Sequence, residues 1–181
     1  VGNVIFSGGG GGGRVAVYAT SSTFSGTLNS RGGDGILRGG AGTSLLKVGA
    51  AKATVWIDNG GATDARENTE FAGESTIDAN VVVRGGGRIG PKRGESGLHL
   101  TVDGDLAIEN TGGLFADAYG YASDTGPGAG QGSILLDCAS GGGHGGAGGR
   151  SRYECVDADG GVCNGSFSAP TLMGSGLSLI H

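Results

Sequence analysis

Six consecutive glycines, Gly8 to Gly13, run directly into the alternating stretch RVAVYA, Arg14 to Ala19. This junction constrains the fold because glycine loses the most backbone freedom on folding, whereas alternation with β-branched residues marks a strand. Such a tract is either a flexible linker or a segment whose missing side chains let another backbone lie against it. A second tract, residues 141–149, also ends in an arginine, Arg150. The repetition favours ordered, extended glycine in polyproline-II-like geometry, with RVAVYA as a core strand beside it.

Glycine supplies 44 of the 181 residues, yet no strict Gly-X-Y period exists and there are only 3 prolines, which excludes collagen. Disorder fits poorly, since 36% of residues are hydrophobic and 16% charged. No stretch keeps helical apolar spacing without glycines. Strand-like runs recur instead: 3–6, 14–19, 26–30, 43–48, 53–58, 75–84, 98–104, 105–110, 113–121 and 133–138, each bounded by Gly, Asn, Asp or Ser. Many small aliphatic residues and few large aromatics suit the stacked rungs of a right-handed parallel β-helix. An antiparallel β-sandwich is the alternative, because short strands at this spacing suit it as well. Residues 1–181 read as a single glycine-rich β domain, about one unit of a repeat or polymer.

The net charge of −5, without a basic run, gives no footprint for nucleic acid or an anionic membrane. No apolar span approaches the roughly 18 residues of a transmembrane helix. The chain starts at Val1 without an initiator Met, which suggests a processed chain or a piece of a longer polypeptide.

Motifs for chemistry are weak. Residues 32–46 imitate the calcium-binding β-roll nonapeptide, but the ligand position holds Leu37 or Ser44 instead of Asp. DADGG (157–161) and DGD (103–105) read as turns before chelators. His99, His144 and His181 lie beside no nucleophile pattern. Asp103, Asp105, Glu109 and Asp117 are the acids a β-helix glycosidase would use, and each reads first as a solvated position. No catalytic residue, metal site or cofactor is expected. Among the three cysteines, a Cys155–Cys163 bridge is the first expectation and Cys138–Cys155 the second, while a zinc site with His144 lacks the usual C-x(2–4)-C pair. A disulfide implies an oxidising compartment. The one N-x-[ST] sequon, Asn164 to Ser166, makes Asn164 a candidate glycosylation site.

The motifs GGGGGGRVAVY, FSGTL, GGAGT, GGGHGGAGG and APTLMGSG resemble the glycine-rich modules of very large secreted or cell-surface repeat proteins of bacteria, algae and protists. The likeness covers most of the chain and implies an extracellular structural or adhesive role. Two departures are the cysteine-bearing insertion at 151–165 and the tail LSLIH where that family has glycines.

The reading that follows is a structural subunit of an extracellular filament or surface fibre, a homopolymer joined head to tail through apolar terminal strands. Val4, Ile5 and Phe6 at one end and Leu177, Leu179 and Ile180 at the other are the expected assembly residues. The second reading is an adhesin or carbohydrate-binding module, with glycans or surface matrix as partners and Tyr18, Trp56, Tyr119 and Tyr121 as stacking platforms.

Overall fold

The computed structural model describes residues 7–64, 66–95, 97–117, 120–133, 138–151, 158–166, 168, 172 and 174–176. None of them is helical. The chain divides into two compact units, residues 1–90 with 99–115 and residues 91–98 with 116–181.

The first unit is built around parallel stacking. Strand β3 (Thr54–Asp58) lies beside β6 (Asn80–Arg84), and β6 beside β9 (Leu106–Ile108). Thr54 pairs with Asn80 and Val81 with Leu106, so the chain returns to the same place after 26 residues and then after 25. The other faces keep the same step. Glu74 of β5 (Glu74–Ile77) pairs with His99 of β8 (His99–Val102), and Arg88 of β7 (Arg88–Pro91) with Gly113 of β10 (Gly113–Leu114). Strand β4 (Thr69–Phe71) borders β7 on its other side. Three parallel faces repeating every 25 or 26 residues make a parallel β-helix, not a sandwich.

Alternation along each strand fills the coil. Ile57, Val81, Val83 and Ile89 are wholly buried and Val55 nearly so, while Thr54, Trp56 and Asp58 on the opposite face are only partly covered. Full burial of each such aliphatic side chain contributes about 1.5–3 kcal/mol. Ala53 and Ala79 occupy equivalent places one rung apart, and Gly104 follows, where a Cβ would crowd the Ala79 carbonyl at 2.6 Å. The corner after β3, β6 and β9 needs a left-handed residue, supplied by Gly60 (φ 67°), Gly86 (φ 80°) and then Thr111 (φ 69°). The Thr111 hydroxyl accepts the Gly86 amide at 3.1 Å, tying one corner to the next.

Two further strands precede the coil. β1 (Arg14–Ala19) is parallel to β2 (Thr43–Val48), and β2 is antiparallel to β3, giving one sheet in the order β1-β2-β3-β6-β9. The expected strand at 26–30 is not formed, and the expected single strand at 75–84 is two, β5 and β6, separated by a corner at Asp78 and Ala79. Only Gly113 and Leu114 of the stretch 113–121 form a strand among the described residues.

The first glycine tract is ordered. Residues 7–13, 30–36 and 37–42 form three extended segments bonded in a ring: Gly9 and Gly12 donate to Leu37 and Gly40 (2.8 and 2.9 Å), Gly39 and Gly42 to Gly33 and Ser30 (3.1 and 2.7 Å), and Gly33 and Ile36 to Gly10 and Ser7 (2.7 and 2.9 Å). Every donor pair is three residues apart, the period of polyproline-II geometry. Added Cβ atoms on Gly9, Gly12, Gly39 or Gly42 would overlap the carbonyls of Gly33, Ser30, Gly10 or Gly13 respectively. Asn59 clamps this bundle to the coil: its Oδ1 accepts the Gly32 amide at 2.8 Å and its Nδ2 donates to the Gly39 carbonyl at 3.2 Å, wholly out of solvent.

The second unit contains a matching ring. Gly141 and His144 donate to Gly149 and Gly146 (both 2.9 Å), Gly148 and Ser151 to Gly161 and Ala158 (2.9 and 3.3 Å), and Gly161 and Asn164 to Gly141 and His144 (2.9 and 2.7 Å). Whereas the first tract is a single segment, the second folds back on itself around Gly145. Donation circulates from first segment to second to third here and in the reverse order in the first unit. A short antiparallel pair, β11 (Gly132–Ser133) with β12 (Cys138–Ala139), also lies in this unit.

Candidate assembly surfaces

The five-stranded sheet ends on one side at β9 and on the other at β1. Leu106 and Ile108 continue the core rows of Val81 and Val83, and Leu114 continues that of Ile89. Val81, Val83 and Ile89 have no exposure, yet Leu106, Ile108 and Leu114 are 43, 46 and 47% exposed. The difference arises because no further rung covers them among the described residues. Strand β9 bonds inward to β6, with the Val81 amide donating to Asp105 at 2.8 Å and the Glu109 amide to Val83 at 2.9 Å. Its outer edge pairs with no strand among the described residues.

On the other side β1 likewise pairs with no second strand among the described residues. Tyr18 on β1 is 70% exposed and Val15 37%, and a shallow groove beside them is lined by Tyr18, Ala19, Thr20, Lys47, Gly49 and Ala50. The terminal residues expected to form the joint, Val4, Ile5, Phe6, Leu177, Leu179 and Ile180, lie outside the described residues.

Charged ladders run along the coil at the rung step. Lys52 Nζ meets Asp78 Oδ1 at 3.0 Å and Asp103 Oδ2 at 3.3 Å, and Arg84 Nε meets Asp58 Oδ2 at 2.7 Å. The hydrogen bond to Asp78 raises the Lys52 pKa above its ordinary value, and the same bond lowers that of Asp78. These ladders were not foreseen from sequence, although Lys52, Asp78 and Asp103 carry the 26-then-25 spacing. Asp103 is therefore held as an ion-pair partner, Asp105 and Glu109 flank β9, and Asp117 belongs to the other unit. No group of three or more His, Cys, Asp or Glu able to hold a metal ion occurs among the described residues.

The aromatic residues do not share a platform. By register, Tyr18 projects on the face of Leu45 and Val55, whereas half-buried Trp56 projects on the opposite one beside Val82. Tyr121 is partly covered and Tyr119 lies outside the described residues. Cys163 is an exposed, unbridged thiol; its expected partner Cys155 lies outside the described residues. The Asn164 amide donates to the Gly143 and Val162 carbonyls at 3.0 and 3.2 Å, and its Oδ1 meets His144 Nδ1 at 3.1 Å. In this conformation the sequon asparagine acts as a strut of the second ring.

No described helix is long and apolar enough to cross a membrane. Comparison with protein-family models, curated proteins and solved structures gives no match.

Proposed function

We propose that this chain is a structural subunit of an extracellular filament or cell-surface fibre, added head to tail through strand edges. The last rung among the described residues, which no described strand caps, carries the reading. A parallel coil whose core row ends in Leu106, Ile108 and Leu114 presents apolar side chains and unpaired main chain together, the combination that templates another strand. The ordered glycine rings and the likeness of the glycine motifs to secreted repeat modules support a structural, extracellular role. Negative-stain microscopy and light scattering of the full chain test it: concentration-dependent rods are expected, and particles that stay monomeric at high concentration overturn it.

Tyr18, exposed beside its groove, favours a glycan-binding module as the second reading. Glycan-array binding lost in Tyr18→Ala, from a protein that forms no rods, would replace the first reading with this one.

A further inference from the structure

We propose that the joint of the fibre is formed by the β9 edge of one copy and the β1 edge of the next, in antiparallel pairing with Tyr18 opposite Leu106. This rests on the filament reading and specifies its contact. Direction comes first. β1 runs with β2, β2 runs against β3, and β3, β6 and β9 share one direction, so β1 opposes β9. A copy displaced along the sheet therefore brings its β1 antiparallel to β9, an arrangement that both ladders accept.

Face selects the register. Ala16 lies beside Leu45 and Leu45 beside Val55, which puts Arg14, Ala16 and Tyr18 on the core-row face; Leu106 and Ile108 share it through Val81 and Val83. Continuing that face across the joint leaves registers two residues apart, and of these only Tyr18 opposite Leu106 with Ala16 opposite Ile108 sets both exposed β9 side chains against apolar or aromatic residues of β1. A slip of one residue would turn the apolar row against the outward face of its neighbour. The Tyr18 ring then covers the side chain that the last rung leaves open, as an aromatic anchor does at an interface centre.

Charge selects the partner edge. Neither β1 nor β2 contains an acid, and they carry Arg14 and Lys47; residues 103–112 contain no base, and Asp105 and Glu109 flank β9. Antiparallel pairing brings the Arg14 end of β1 to the Glu109 end of β9. Pairing β9 with its own copy would instead set Asp105 near Glu109, like charges that oppose association. The contact is heterologous, so it propagates as an open fibre unless the rotation closes a ring.

The test combines a cross-link with a charge exchange in the full chain. With Cys163→Ser throughout to remove the exposed native thiol, Tyr18→Cys with Leu106→Cys, oxidised and run without reductant, is expected to give a ladder of covalent oligomers that neither single variant nor the Cys163→Ser chain gives. Val15, which this register sets opposite Glu109, gives the charge test: Val15→Glu is expected to weaken assembly about tenfold or more, and Val15→Glu with Glu109→Lys to restore it. The exchange also decides the matter if the cysteine pair fails to fold, as judged by circular dichroism. Rods from the unaltered chain with no ladder and no response to Val15→Glu overturn this joint and leave the filament reading standing. An unaltered chain that never assembles overturns both.

Discussion

Gly12 and Ser30 lie so close that a single methyl group on Gly12 would overlap the Ser30 carbonyl. At the neighbouring Gly11 an added Cβ meets nothing within 4 Å, and the backbone is not left-handed. Gly12→Ala is therefore expected to destabilise the fold by about 1–3 kcal/mol or more. Gly11→Ala is expected to be neutral or to stabilise by up to about 1 kcal/mol, through the reduced freedom of the unfolded chain. Urea unfolding of the two variants checks the contrast, and equal losses would refute a ring with inner and outer positions.

Core rows lose more where the coil is closed than where it ends. Ile57→Ala, at a site with no exposure, is expected to cost about 2–5 kcal/mol through lost burial and the cavity left behind. Ile108→Ala, at a site 46% exposed, should cost less than half as much in the isolated chain. Denaturation midpoints at equal slope measure both.

Asn59 satisfies two backbone groups of the glycine ring from inside the protein. Asn59→Ala leaves the Gly32 amide and the Gly39 carbonyl without that partner, at about 1–3 kcal/mol for each buried group that water does not reach. Amide hydrogen exchange is expected to accelerate at Gly32 and its ring neighbours ahead of the coil. Unchanged protection there would mean that the ring does not depend on the clamp.

The ladder of Lys52, Asp78 and Asp103 predicts how stability follows pH. Because the Asp78 pKa is lowered from 3.8, its contribution is present above that value and is lost as pH falls through the lower folded value. Because the Lys52 pKa is raised from 10.5, its contribution is present below that value and is lost as pH rises through the higher folded value. Lys52→Met should remove the alkaline dependence and shrink the acid one, and salt should weaken both, since all three side chains are substantially exposed. Thermal unfolding across pH at two ionic strengths reads the effect.

Much of the coil was legible. β1, β2, β3, β6, β8 and β9 alternate or are β-branched, and the local pattern locates them. TEF and RIGP, which form β4 and β7, are too short and too polar for such a signal; neighbouring rungs, not their own residues, make them strands. The rung period was hidden because stacking asks little of identity: a corner accepts Gly60, Gly86 or Thr111, and an inner position accepts Ala53, Ala79 or Gly104. The glycine ring was legible as order but not as geometry. When all six positions hold glycine, the sequence cannot mark Gly9 and Gly12 as the two that face inward. The exposed β9 edge is not legible in sequence because Leu106 and Ile108 resemble any buried pair until the stacking of the described rungs is known.

The glycine rings also bear on how this protein responds to temperature. Unfolding most domains exposes apolar surface and raises the heat capacity by about 12–15 cal/mol/K per residue, whereas exposing peptide groups lowers it. Segments joined backbone to backbone contribute the second effect with little of the first. The increment per residue should therefore fall below the usual value, giving a flatter stability curve whose cold side declines slowly. Such a protein keeps its structure near freezing, where a core that relies on hydrophobic burial alone is losing its advantage.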